Sequence, residues 1–461
     1  MKMNKEMYRK LINYTISKGV DFVELYYEEE KNRNYILIDS KLDDISGNYS
    51  KGLGIRIYHN NCVYYTSTNN LDYEDIIKQI NTLLNNIKNL KERKKDISLE
   101  KEEVLLPKIK IEHDDYPVDK KTKLLKNIDK EARDYSKLIS QVKAGLIEQD
   151  KKYTVVNSRG IYKTSREVVT RVYMMVYAKK DDNTESSFAT FGKGCGYEFL
   201  DEFDYKKTAI EYAEIAIKKL DAKKFEGGTV PIIMGNGYGA VIFHEACGHS
   251  LEATAVADNL SVMSNKLGQK IASNKVTLID DGTIENAWGS SIIDSEGNKT
   301  RKNILIENGI LKSYLVDDFN SKKMNHKITG SGRRQNYRYA PTSRMNNTYL
   351  APGKDKVEDM IKSIDYGVYC KDMSGGSVNT ITGDFNFVVE EAYLIEKGKI
   401  TDMLKGLTLI GKGEDILKQV EMVSDNLSLC SSFCGSASGR INVTVGQPTI
   451  KVSKILVGGS K

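Results

Sequence analysis

Cysteine, histidine and tryptophan are scarce in this chain: six Cys, five His and one Trp in 461 residues. Six cysteines without regular spacing do not make a disulfide framework, and they leave reduced thiols free to bind metal. No uninterrupted apolar run reaches the ~18 residues that a membrane-spanning helix needs. Met1 to Lys10 carries charge with no apolar stretch behind it, so no signal peptide is visible and a cytoplasmic chain is expected. An excess of one charge sign is also missing. The 69 Lys and Arg are scattered among 63 Asp and Glu, and the net charge of +6 is small for this length. That balance speaks for solubility and against direct nucleic-acid binding. With 40% apolar and 29% charged residues the composition is that of an ordinary globular protein, too long for one core.

What is present is a change of pattern near the middle. Residues 1–222 read as two passes of helix, strands and helix. Asn4 to Lys18 places Met7, Leu11, Ile12 and Ile16 at helical spacing and stops at Gly19. Strand-like segments follow at 22–28, 34–39, 53–58 and 62–66, then a helix over about 72–90. Lys91 to Glu103 is mostly charge and reads as a solvated connector. The second pass has a helix near 119–136, strands near 139–147, 152–158 and 163–178, and a helix near 201–220. This echo suggests an internal duplication with its connector near 91–117. Asp221 to Gly228 ends a helix with charge and paired glycines, which marks a domain boundary. From 223 to 461 hairpin signals dominate: Asp281-Gly282, Glu296-Gly297, Asn308-Gly309 and Lys397-Gly398. Helices are expected there only at about 240–253, 355–365 and 413–418. The expected fold class is α+β. An N-terminal mixed α/β domain (1–222) has an antiparallel sheet with flanking helices, and a mainly antiparallel β domain (223–461) carries the metal-site helix.

The string Phe243-His-Glu-Ala-Cys-Gly-His249 puts two of the five histidines within six residues, with Glu245 between them. Imidazole is the commonest neutral transition-metal ligand, and an adjacent carboxylate can accept a proton from water at the metal. The spacing sets a condition. Residues five apart on a regular α-helix differ by about 140° around the axis. His244 and His249 can share one ion only if the backbone is irregular across Ala246 to Gly248, where glycine tolerates a π-type bulge. A catalytic zinc needs a third protein ligand. On chemistry alone Cys247, Glu252, Asp258, Cys430 and Cys434 all qualify. The bland alternative is two satisfied core histidines and inert buried thiols. Asp384 and the pair Glu390 and Glu391 could do acid/base work, but acids on strands are mostly solvated. Gly235-x-Gly-x-Gly239 lacks both the dinucleotide spacing and a Walker lysine. His59, His113 and His326 stand alone.

His244-Glu-Ala-Cys-Gly-His249-Ser-Leu-Glu252 resembles the H-E-x-x-x-H-x-L-E signature of the TldD/PmbA family, in its catalytic TldD-like branch. Thr329-Gly-Ser-Gly-Arg-Arg334, Arg344-Met-Asn-Asn-Thr-Tyr349, Gly375-Gly-Ser-Val378, Gly406-Leu-Thr-Leu-Ile-Gly411 and Val445-Gly-Gln-Pro-Thr449 fit it in the same order. The resemblance implies a zinc metallopeptidase with one Zn²⁺ per chain, held by His244, His249 and Cys434, with Glu245 as general base. It implies short or unfolded polypeptides as substrates. It also implies a dimer, either of like chains or with a related non-catalytic subunit, that encloses the site. Arg333, Arg334 and Tyr337 are candidates to stabilise the oxyanion. Leu251-Glu-Ala-Thr254 departs from the L-E-G-D of better-known members.

Other readings compete. A nucleobase deaminase needs H-x-E with P-C-x-x-C, which is missing. A non-catalytic regulatory subunit has no need of all four residues His244, Glu245, His249 and Cys434. A regulator of a DNA-handling enzyme, suggested by the family's alternative name as a gyrase modulator, finds no support in the charge distribution.

Overall fold

The computed structural model describes residues 3–379 and 382–459. Its N-terminal half is one seven-stranded sheet built from unusually long antiparallel strands, Phe22–Ile38, Lys41–His59, Ile139–Asn157 and Tyr162–Lys180. The local pattern predicts separate strands at 22–28 and 34–39, and again at 139–147 and 152–158. In the structure each pair is a single strand. The break in pattern has a physical cause: the polar middles of these strands are covered by another layer. Along Phe22–Ile38 the odd residues Val23, Leu25, Tyr35 and Leu37 are buried against the helices, while the even residues Glu24, Glu28 and Glu30 point the other way and are buried too. Gln149 shows how such groups are satisfied, donating to Glu30 and accepting from Asn442 of the C-terminal half at 2.8 Å.

The helices divide into two pairs over the odd-numbered face. Lys5–Ser17 and Tyr73–Leu84 cover one end, Val118–Tyr135 and Tyr205–Leu220 the other, so one sheet carries two separate cores. The charged connector is not purely solvated. Residues 85–102 contain no helix or strand, yet Ile97 and Leu99 are buried in the first core and the Ile97 N–H donates to Asn13 at 2.7 Å.

In the C-terminal half five strands close into a ring: Tyr366–Val378, Gly228–Met234, Ile450–Gly458, Thr408–Lys412 and Asp384–Glu396, which pairs back onto the first. Beside it lies a six-stranded sheet in the order Ile310–Leu311, Lys302–Glu307, Leu278–Asp281, Asn347–Leu350, Gly439–Gln447, Ser428–Ser436. Asn308-Gly309 and Lys397-Gly398 turn their hairpins with positive φ at both residues, as two-residue loops of this kind require. The expected helices at 355–365 and 413–418 are Val357–Lys362 and Gly413–Gln419, and Asp318–Lys323 is an additional one. Among the described residues no helix is long and apolar enough to cross a membrane.

The two halves are joined by buried charge. Arg334 donates to Glu24 at 2.6 Å, Arg56 bridges Glu24 and Glu296 (2.7 Å to the latter), and all four side chains are nearly inaccessible. Arg334 also lies over the Tyr26 ring, 4.1 Å from its centroid. Breaking such a network leaves an uncompensated buried charge. Arg334→Met is therefore expected to lose about 3–5 kcal/mol of stability, read as a lower midpoint of chemical denaturation. Removing the exposed pair Lys130 and Asp134 should leave that midpoint nearly unchanged, because solvent screens the pair.

Candidate metal centre

The strand Gly228–Met234 leads into the Gly235–Gly239 turn, whose glycines serve packing. Gly237 has φ +87 and sits beside the Cys430 thiol, and a Cβ on Gly239 would meet the Gln447 amide at 2.6 Å. The Gly235 and Gly237 N–H groups donate to the Cys370 and Gln447 carbonyls, which leaves them unable to cradle a phosphate. One helical turn, Val241–Phe243, then widens over His244–Gly248 into i→i+5 hydrogen bonding, with the His249 N–H donating to the His244 carbonyl. The required irregularity is present, and it brings residues five apart onto one face. Gly248 itself has ordinary helical φ and ψ (−60, −49). What its missing side chain provides is room for Met345, whose sulfur would lie 2.1 Å from a Cβ there.

His244 and His249 face each other nearly perpendicularly with ring centroids 5.3 Å apart. The Cys434 sulfur lies 3.1 Å from His249 Nε2, and Glu245 Oε2 lies 3.5 Å from the same nitrogen. One donor atom from each of His244, Glu245, His249 and Cys434 falls within 4.8 Å of all the others. His244 is buried with both ring nitrogens unpartnered, which is costly unless a ligand fills the space between the donors. Two imidazoles and a thiol suit zinc. Burial, reinforced by His249, Arg344 and Arg333, holds the His244 pKa well below its usual value and keeps the imidazole neutral. Burial also pushes Glu245 upward, although part of its side chain remains accessible.

Glu252, a candidate ligand on chemistry alone, has a different task here. Its Oε2 accepts from His249 Nδ1 at 2.9 Å, which leaves Nε2 with its lone pair toward the cluster. Burial opposes a charge on His249, whereas Glu252 and Cys434 favour one and raise that pKa, so a metal bound at Nε2 would take the place of a proton there. Losing such a partner typically costs 10–100-fold in metal affinity. Glu252→Gln should show about that loss in competition with a chelator.

Cys434 arrives from the edge strand Ser428–Ser436, 185 residues downstream of His249. Its hairpin is clamped by Arg344, fully buried, which donates to the carbonyls of Cys434 (2.7 Å) and Gly439 (2.9 Å) and to the Ser438 hydroxyl (2.9 Å). Arg344 is a positioning residue that local sequence reasoning missed, since nothing nearby in the chain shows what it holds.

The remaining candidates disperse. Cys247 points into the core toward the Gly413 carbonyl, and Asp258 pairs with Lys323 at the surface. Cys430 shares the face of Cys434 but lies four residues earlier, about 13 Å along a strand. Arg334 is committed to the inter-half network, and Tyr337 packs over Gly52 beside Tyr26 and Tyr153. Arg333 is buried with its guanidinium donating to the Met345 (2.6 Å) and Asn442 (2.9 Å) carbonyls. Asp384 is exposed, and Glu390 and Glu391 pair with Lys219 and Lys371. His113 and His326 bond locally to Thr170 and the Lys327 carbonyl, while His59 Nε2 meets Asn60 and its Nδ1 lies 3.6 Å from Asp21, all far in sequence from the cluster.

The chain matches the PmbA/TldA metallopeptidase C-terminal domain over residues 227–459, the central domain of that family over 111–220, and its domain 1 over 23–86. The chain belongs to the PmbA/TldD metallopeptidase family. A metalloprotease TldD homolog of Buchnera aphidicola subsp. Schizaphis graminum is 38% identical over 74% of this chain and 72% of its own length. One from Buchnera aphidicola subsp. Acyrthosiphon pisum is 33% identical over 96% and 94%. A zinc metalloprotease TldD homolog of Saccharolobus solfataricus is 26% identical over 98% and 99%. Among solved structures, a putative modulator of a DNA gyrase from Thermotoga maritima superposes with TM-score 0.81 at 20% identity, covering 98% of this chain and all of its own. TldE from Thermococcus kodakarensis gives 0.75 at 21% over 98% and 100%. These two likenesses establish a PmbA/TldD-type α+β fold.

Proposed function

We propose that this PmbA/TldD member is a zinc-dependent peptidase acting on short or unfolded polypeptides, with one zinc held by His244, His249 and Cys434 and with Glu245 as general base. The observation that carries this is the convergence of four donors within 4.8 Å around a buried imidazole with two unpartnered nitrogens. The naming of relatives as metalloproteases, one of them a zinc enzyme, supports the same reading. Bound zinc supplies Lewis acidity, which polarises a peptide carbonyl and brings the pKa of water toward ~7.

The chain's own residues do the rest. Glu245 takes the proton of the attacking water and passes it to the leaving amine nitrogen. Glu252 holds the His249 ring, and Arg344 holds the loop behind Cys434. On the same family reading the chain works as a dimer, of like chains or with a related subunit.

The test is direct. Protein purified without added metal should carry about one zinc per chain and cleave an unfolded polypeptide; a chelator should stop cleavage, and zinc should restore it. Cleavage that persists after complete metal removal would overturn the proposal.

A further inference from the structure

Peptide hydrolysis passes through a tetrahedral carbon bearing an oxyanion, and a donor for it has to come from a group whose proton is free. The arginines that act on His244 are committed. Arg333 gives its terminal N–H groups to the Met345 and Asn442 carbonyls, and Arg344 gives its own to Cys434, Gly439 and Ser438. Diverting them would strand buried acceptors. Arg334 is held by Glu24, and Tyr337 packs over Gly52.

Tyr238 is placed differently. Its backbone N–H reaches the Cys430 thiol, and its hydroxyl lies 3.2 Å from Ser432 Oγ. Cys430, Ser432 and Cys434 alternate onto one face of Ser428–Ser436, which pairs with Gly439–Gln447 without a bulge. The Tyr238 side chain therefore runs along that face toward the candidate centre. Its hydroxyl meets Ser432, one side-chain interval of about 7 Å from Cys434. From the helical side, Glu245 follows Tyr238 by seven residues, and side chains on a helix lean toward its N-terminal end. Burial raises the Tyr238 pKa and keeps the phenol protonated, Ser432 and Arg171 pull the other way, and Glu245 is close enough to add to the rise. Tyr238 and Glu245 are both partly accessible, whereas His244, His249 and Cys434 are buried. Ser432 can donate to the phenol oxygen, which leaves the phenol's own proton free to point into the site.

We infer that Tyr238 is a catalytic residue whose hydroxyl, steadied by Ser432, donates a hydrogen bond to the scissile carbonyl oxygen as that oxygen gains charge. The inference rests on the peptidase reading. Water oxygen bonds to the carbonyl carbon, the C=O electron pair moves onto oxygen, and Glu245 takes the proton of the water. Tyr238 keeps its own proton throughout. A donor of this kind acts on the transition state more than on the bound substrate.

Tyr238→Phe removes one oxygen and keeps the ring. Its kcat should fall about 10²–10³-fold, with KM and zinc content unchanged. A second readout needs no turnover. Zinc-loaded Glu245→Gln protein is titrated with a phosphinic peptide, whose tetrahedral anionic group copies the intermediate, and with the matching amide peptide, which stays intact there. Adding Tyr238→Phe should weaken the phosphinic peptide about tenfold or more and leave the amide unchanged. Ser432→Ala loosens the hydroxyl without removing it and should lower kcat less. Unaltered kcat in Tyr238→Phe overturns the inference, as does an equal loss of affinity for both peptides, the result of a merely structural change. Failure of the peptidase reading looks different, since the unsubstituted protein then cleaves no peptide. In that event a Tyr238-dependent preference for the phosphinic peptide keeps the donor and sinks the peptidase, and no such preference sinks both.

Discussion

Glu245→Gln is expected to lose peptide cleavage by a factor of about 10²–10⁴ while its zinc content stays at the unsubstituted level. The amide is close in size to the carboxylate, so packing around His244–Gly248 is retained. What disappears is the ability to accept a proton. Glu245 Oε2 lies 3.5 Å from His249 Nε2, close to the donors yet partly open to a substrate, whereas His244 is sealed from solvent. Metal affinity should therefore rest on the two imidazoles and the sulfur, and turnover on the carboxylate. Zinc analysis and kcat measured on the same preparation read both quantities. A variant that keeps cutting at the original rate would remove Glu245 from its assigned role, and one that loses zinc would make it a ligand.

Cys434→Ala should emerge from purification nearly free of zinc and without activity, while Cys430→Ala keeps both. The two thiols lie four residues apart on one strand and would be hard to tell apart by type. Geometry separates them. Cys434 Sγ is 3.1 Å from His249 Nε2. Cys430 rests beside Gly237, where burial pushes its thiol up to about 12 and so disfavours the thiolate that metal binding needs. Losing one of three protein ligands should cost more than the 10–100-fold typical of an outer partner such as Glu252. Metal content by elemental analysis decides the matter. Zinc retained by Cys434→Ala but lost from Cys430→Ala would reverse the assignment.

Local sequence determined those features whose signal lies within a few residues. The helical stripes of Met7, Leu11, Ile12 and Ile16 and of the 119–136 segment are helices, because burial of one face imposes a 3.6-residue period that the chain records directly. Asn308-Gly309 and Lys397-Gly398 are hairpin turns because they need positive φ. The spacing of His244 and His249 demanded a disturbed helix, and the i→i+5 turn supplies it. Other features depended on what packs against them. The polar middles of Phe22–Ile38 and Ile139–Asn157 look like loops until the C-terminal half covers them and supplies partners such as Asn442. Glu252 as the holder of His249, Arg344 as the clamp behind Cys434, and Arg334 as a tie to Glu24 were equally hidden. Contacts such as Arg334–Glu24 span 310 residues, and no local period encodes them. Chemistry could be read from residue type, but which groups meet was decided only when two sheets and a broken helix closed on one another.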